Sequence, residues 1–158
     1  MSTGKLQITT PSDREIAMTR VFEAPRHLVF EAYTKPELVK RWLGIHAGWK
    51  LAVCVIDLRV GGSARYLWRN ADGREMGMSQ TFREIVAPER LVVSEQFDQA
   101  WYSGEGVGTV TFVERDGRTT LTLTMTYESK ATRDMILQSP MEQGVSAGFD
   151  MLESLLAA

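Results

Sequence analysis

Ser139-Pro140-Met141-Glu142-Gln143-Gly144-Val145-Ser146-Ala147-Gly148-Phe149-Asp150-Met151-Leu152-Glu153-Ser154-Leu155-Leu156 lies almost at the end of the 158-residue chain. Met141, Val145, Phe149, Leu152 and Leu156 recur at spacings of three or four. Glu142, Gln143, Ser146, Asp150, Glu153 and Ser154 fall mostly on the other side. The spacing predicts one long amphipathic helix over residues 139–156 with a single buried stripe. Ser139-Pro140-Met141-Glu142 has the form of a capping box, with proline at the first helical position, where no donor is lost. Gly144 and Gly148 each cost a helix interior about 1 kcal/mol relative to alanine. A neighbour lying close to the backbone is therefore expected at both.

The preceding sequence supplies that helix with a sheet to cover. Residues 15–22 alternate, with Ile16, Met18, Arg20 and Phe22 on one face. Two short helices follow. The first opens at Pro25 and stops near Tyr33; the second begins at the apparent capping box Thr34-Lys35-Pro36-Glu37 and ends at Gly44. Turn signals then divide a period-two region into six strands, at residues 50–58, 64–69, 76–85, 91–97, 108–114 and 119–127. Their connections are too short for parallel crossovers, so an antiparallel meander is expected. Residues 6–10 read as a candidate short strand, ended by Pro11-Ser12-Asp13, within a loosely attached N-terminal extension, residues 1–13. The chain reads as a single α+β domain: seven antiparallel strands, two short helices between the first and second, and the long helix across one face. A strongly twisted sheet curls around such a helix.

Composition narrows the function classes. Eighteen basic and 20 acidic residues give a formal charge of −2 without a basic block, which argues against nucleic acid as a partner. No apolar run has the length of a membrane span, and the N-terminal residues lack the apolar centre of a secretory leader. One cysteine, Cys54, suits a reducing, cytoplasmic setting. With only His27 and His46 beside it, no metal-ligand spacing appears, and neither a metal nor a cofactor is expected.

The segment Thr19-Arg20-Val21-Phe22-Glu23-Ala24-Pro25 leading into Val29-Phe30-Glu31-Ala32-Tyr33-Thr34-Lys35-Pro36-Glu37 and Arg41-Trp42 resembles the opening of the START-like, or SRPBCC, superfamily. Within it the chain is similar to the branch named for the C-terminal domain of the activator of the 90-kDa heat-shock protein ATPase. Val53-Cys54-Val55-Ile56-Asp57-Leu58-Arg59-Val60-Gly61-Gly62, Arg83-Glu84-Ile85-Val86-Ala87-Pro88-Glu89-Arg90-Leu91-Val92 and Glu142-Gln143-Gly144-Val145 continue the resemblance in order. It implies a helix-grip fold, with a ligand cavity between sheet and long helix, and it carries no catalytic motif. Two positions depart from it. Val145 stands where the branch often has an aromatic residue, and Leu43 where it often has a second tryptophan. Both changes remove ring volume.

Strand phase proposes the lining of that space. Ala52, Cys54, Ile56 and Leu58 should face inward, since the other phase would bury Asp57. Tyr66 and Trp68 follow from the next strand, then Met76, Met78, Gln80 and Phe82, then Val110 and Phe112, and finally Leu121, Leu123, Met125 and Tyr127. The phase of residues 91–97 is ambiguous. The helices add Trp42, Met141, Val145, Phe149 and Leu152. The candidate ligand-binding set is thus Trp42, Cys54, Ile56, Tyr66, Trp68, Met78, Gln80, Phe82, Phe112, Leu123, Met125, Met141, Val145 and Phe149. Such aromatic and methionine surfaces suit an apolar ligand, although packing of a solid core uses the same residue types. Of the polar residues, Gln80 needs a partner if buried, and Cys54 reads as a small hydrophobe. His46 is a loop residue, and Trp101 and Tyr102 form either a lid or packing under a loop. Glu84 and Glu95 are expected in solvent or paired with arginine.

These readings favour a binding protein for a hydrophobic, aromatic or lipid-like small molecule, with no catalytic residue assigned. A cyclase-, aromatase- or hydrolase-type enzyme using the same cavity is the alternative. The resemblance also brings in a chaperone ATPase-stimulating partner role. A homodimer through a sheet edge or face is left open.

Overall fold

Eight strands hydrogen-bond into one antiparallel sheet in the computed structural model, which describes residues 5–99, 102 and 104–158. They are β1 (Gln7–Thr9), β2 (Glu15–Phe22), β3 (Lys50–Ile56), β4 (Ser63–Arg69), β5 (Glu75–Val86), β6 (Arg90–Phe97), β7 (Gly106–Arg115) and β8 (Arg118–Thr126). The spatial order is β1-β2-β8-β7-β6-β5-β4-β3. From β3 to β8 each strand pairs with its successor, as short turns require. β2 closes onto β8, with Glu15 opposite Thr126 and Phe22 opposite Thr119. The strand after β2 therefore lies at the far edge of the sheet. Residues 23–49 span that width, carrying α1 (Arg26–Thr34) and α2 (Pro36–Val39). After β8 come α3 (Lys130–Gln138) and α4 (Met141–Ala157).

The sheet has eight strands rather than seven because residues 7–9 pair with β2, Ile8 opposite Met18. Those residues of the N-terminal extension are thus part of the sheet, using donors and acceptors that β2 would otherwise present at an open edge. β8 sorts its side chains as its alternation implies. Leu121 and Met125 are buried inward, and Thr122 faces out against Thr19, their hydroxyls 3.3 Å apart.

β3 departs from simple alternation. Its register to β4 shifts between Leu51 and Val53, so Leu51 lies opposite Trp68 and Cys54 opposite Tyr66. A bulge places one extra residue on one strand. Leu51 and Cys54 are consequently the buried pair, Ala52 is only half-buried, and Leu58, expected inside, lies beyond the strand and is 42 % exposed.

Both expected capping boxes are replaced by other bonds. The Thr34 hydroxyl donates to the Phe30 carbonyl at 2.8 Å, and the Ser139 hydroxyl donates to the Ile136 carbonyl. Each hydroxyl closes the helix before it, because the two helices nearly abut and those carbonyls lie within reach. Neither following helix has a side-chain cap: α2 opens with Pro36 at its first position, whereas α4 starts at Met141 with Pro140 as its N-cap and not, as expected, as its first helical residue. Ser129 is a true cap: its hydroxyl oxygen accepts from the Thr132 N–H at 3.1 Å and starts α3.

The largest core cluster joins the C-terminal half of α4 to the sheet and α1. Phe149 meets Phe22 edge-on, ring centres 5.6 Å apart, and Trp42 at 6.0 Å; Leu152 is fully buried. Arg20 is buried beside them and ion-pairs with Asp150 of α4 at 2.8 Å. Full burial of Phe149 and Leu152 contributes about 1.5–3 kcal/mol each, which anchors this half of α4. Among the described residues no helix is long and apolar enough to cross a membrane.

Candidate functional site

Two turns before Phe149, α4 rises off the sheet over a cavity of about 890 Å³. Volumes of about 300–1,000 Å³ are usual for small-molecule sites. Met141, Gly144 and Val145 of α4 form one wall, Trp42, Leu43 and Gly44 after α2 another, and Phe97 and Leu123 line it from the sheet. Tyr33 and Trp49 complete the aromatic lining, while Arg74 and Glu75 put opposite charges on the wall.

The two helical glycines have different roles. A Cβ on Gly148 would lie 3.3 Å from the Trp42 carbonyl oxygen, so close approach to the chain after α2 explains that residue. A Cβ on Gly144 would meet nothing within 4 Å. The expected close neighbour is absent there, and the missing side chain is cavity space. Gly44 holds a left-handed φ of +70°, and a Cβ there would run into the indole of Trp68. That indole donates to the Leu43 carbonyl at 3.0 Å, which fixes Leu43 and Gly44 in the wall.

Of the 14 residues proposed from sequence, Trp42, Leu123, Met141, Val145 and Phe149 line the cavity. The other nine are packed elsewhere. Cys54, Tyr66, Trp68, Met78 and Phe82 form a core cluster with Val39 and Leu51, and Ile56 packs against it. Phe112 belongs to the cluster around Phe149, and Met125 to one with Ile16 and Ile136. These residues have the inward phase that was expected, but other side chains fill the space in front of them. Leu43 and Val145, the two positions with smaller side chains than the family pattern, both face the cavity.

The lining also includes residues that strand phase did not select. Phe97 was obscured by Glu95. Leu91, Val93, Glu95 and Phe97 share the inner face of β6, and a carboxylate in that row made the phase ambiguous. Tyr33, on the apolar face of α1, packs its ring on Trp42 at 5.0 Å and borders the cavity. Trp101 lies outside the described residues. Tyr102 turns toward the interior, edge-on to Tyr127 at 5.8 Å. His46 is exposed.

A chain of polar groups runs across the inner face. The Tyr66 hydroxyl donates to Gln80 Oε1 at 3.2 Å, and Gln80 Nε2 donates to Glu95 Oε1 at 3.2 Å. The buried amide thus has partners on both sides. Glu95, expected in solvent or beside arginine, instead sits opposite Gln80 with its carboxyl enclosed, and burial pushes its pKa up against a smaller lowering by the Gln80 bond. Tyr33, Tyr66 and Tyr127 are raised chiefly by burial, as is Tyr102, to about 12; all four feel the Glu95 charge. Burial likewise pushes the Cys54 thiol up to about 11, against a smaller pull from Lys40, so it is a thiol and not a nucleophilic thiolate at neutral pH. Glu84 does pair with Arg90, at 2.6 Å. Among the described residues no three His, Cys, Asp or Glu side chains gather so as to hold a metal ion.

This combination of an antiparallel sheet and a gripping C-terminal helix agrees with what comparison with known proteins shows. Residues 23–157 match the family described as Activator of Hsp90 ATPase homolog 1-like protein. The chain belongs to that family. Among solved structures, this AHSA1-like chain is similar to a Rhodobacter sphaeroides protein at 28 % identity and a TM-score of 0.89, covering 96 % of this chain and 97 % of that one. It shares the fold of protein Ms6760 from Mycobacterium smegmatis, at 22 % identity and a TM-score of 0.83, with 96 % and 97 % covered. An AHSA1-like protein from Aeromonas hydrophila matches at 23 % identity and a TM-score of 0.70, with 89 % and 93 % covered. No curated protein matches the chain in sequence.

Proposed function

We propose that this AHSA1-like protein binds a small apolar molecule, aromatic or lipid-like, between the sheet and the N-terminal half of α4. The observation that carries the reading is the cavity of about 890 Å³ walled by Tyr33, Trp42, Phe97, Met141, Val145 and Phe149. Flat rings and flexible methionine suit apolar ligands of varied outline. The single thiol, Cys54, favours a reducing cytoplasmic setting. Native mass spectrometry of the purified protein, with a thermal-shift screen of aromatics and lipids, tests the proposal. A bound molecule at 100 times its Kd should stabilise the fold by about 2.7 kcal/mol. A screen in which no apolar compound raises the melting temperature would count decisively against it.

A second reading, catalysis between the sheet and α4, is favoured by the Tyr66–Gln80–Glu95 chain on the inner face of the sheet, outside the cavity's own lining. A carboxyl with a raised pKa beside phenols is suited to proton transfer on a positioned substrate. Turnover of polyketide-like or ester substrates that disappears in Glu95→Gln would establish it. Turnover that persists in Glu95→Gln would remove it.

A further inference from the structure

The cavity wall is polarised between a buried apolar part and an exposed polar rim. Trp42 and Phe149, both buried, belong to the first. Arg74, Glu75 and Gln99 are exposed wall residues, and they gather where β5 begins and β6 ends. The Asp98 N–H donates to the Gly77 carbonyl at 2.9 Å, which keeps the chain leaving β6 alongside β5 and brings Gln99 toward Met76. Met76 is itself a wall residue and is 41 % exposed, an apolar side chain left uncovered at the same rim.

The charges on this rim do not cancel. Glu75 is already occupied, because Arg69, opposite it on β4, donates to its Oε2 through Nε at 2.9 Å and through Nη2 at 2.5 Å. Arg74 is held by its backbone alone. Its N–H donates to Asn70 Oδ1 at 3.0 Å, and its carbonyl accepts from the Asn70 N–H at 3.0 Å, closing the turn between β4 and β5. Its guanidinium pairs with no carboxylate among the described residues. With Arg69 and Glu75 neutralising each other, the rim carries one positive charge beside an apolar interior.

That pattern selects the end group of an occupant. A guanidinium presents parallel N–H donors that match a single carboxylate, and its long stem can lie along apolar wall while the charged head stays near water. A neutral occupant would displace water from the guanidinium and return no partner. A cationic one would meet a like charge.

We infer that the occupant of this cavity is an amphipathic carboxylic acid, an alkyl or aryl body ending in one carboxylate. The carboxylate lies at the rim on Arg74, with the Gln99 amide as a further donor, and the apolar body runs past Met76 toward Trp42 and Phe149. The inference rests on the reading of the cavity as a small-molecule site and adds the end group and charge of what enters.

The test uses the full chain, with decanoate and phenylbutyrate as probes beside their primary amides, which keep the chain and its size but carry no charge. Affinities are measured by titration calorimetry and native mass spectrometry in neutral, low-salt buffer. The wild type should bind each acid on the order of fivefold more tightly than its amide, and the preference should shrink as salt is raised. In Arg74→Gln, which keeps the backbone bonds of the turn, the ratio of acid to amide affinity should fall to about one. Equal binding of acid and amide by the wild type overturns the acid inference and leaves the cavity reading standing. Binding of neither overturns both. An acid preference that survives in Arg74→Gln overturns the role of Arg74, and the wild-type comparison stands even if that variant folds poorly.

Discussion

The two halves of α4 have the same apolar periodicity but different surroundings. In the C-terminal half, Phe149 and Leu152 are enclosed by Phe22, Trp42 and neighbouring core residues. In the N-terminal half, Met141 and Val145 are half-buried and face the cavity, and Gly144 faces open space. Spacing marks which side of a helix faces inward. Whether that side meets a packed core or a ligand space depends on the volume opposite. One half of the helix therefore holds the fold together, while the other sets the dimensions of a site.

The largest test of this contrast is truncation on each side. Phe149→Ala should destabilise the protein by about 3–5 kcal/mol in denaturant unfolding, through lost burial and a cavity in the core. Met141→Ala, bordering space that already exists, should cost clearly less than the 2–5 kcal/mol typical of buried methionine. Equal costs would erase the distinction between the halves.

Val145→Trp should leave the fold cooperative, since the indole enters cavity rather than core. It should weaken apolar ligands by about tenfold or more, equivalent to about 1.4 kcal/mol, read as a lost thermal shift. Unchanged binding would move the ligand away from α4. The paired glycine variants have smaller effects. Gly144→Ala should stabilise the helix by up to about 1 kcal/mol, whereas Gly148→Ala should forfeit that gain because its Cβ meets the Trp42 carbonyl oxygen at 3.3 Å. Equal melting temperatures would show that both halves adjust alike.

The smallest effect is a pH slope. Glu95 takes up a proton more readily in the fold than in the unfolded chain. The native state therefore holds more protons between those two pKa values, and stability falls as pH rises through that window. Asp98 and Asp134, held below the usual carboxylate range first by hydrogen bonds from Arg65 and Lys130, act in the opposite direction. Their stabilisation is present above the ordinary carboxylate pKa and is lost as pH falls. Both pairs are exposed and contribute little. Glu95→Gln should remove the downward slope and leave the weak acid-side loss, measured by melting temperature against pH. An unaltered slope would place the titrating group elsewhere.

Much of the fold was legible because its signals are local. The threonine-leucine alternation of β8, the turn dipeptides and the spacing of α4 each report one element's inward face. The residues that bridge elements were less legible. Ser139 and Thr34 fit a capping pattern but bond backward, because a neighbouring helix offers a nearer carbonyl. The bulge in β3 changes which of its residues are buried, and the sequence around Glu95 reads as solvated or arginine-paired because nothing in its own strand shows the enclosure that Gln80 and the neighbouring elements provide. Five of the 14 proposed site residues reached the cavity wall, since inward phase cannot tell the front of a core from its interior.

By itself the sequence determined the α+β class, the antiparallel meander, the gripping helix and the family, because periodicity, turn chemistry and ordered motifs are written along one chain. Only the tertiary structure decided where the core stops and the cavity begins, that Gly144 is space while Gly148 is contact, and that Glu95 lies inside without a cation. Those outcomes depend on volumes and charges contributed by strands and helices far apart in sequence.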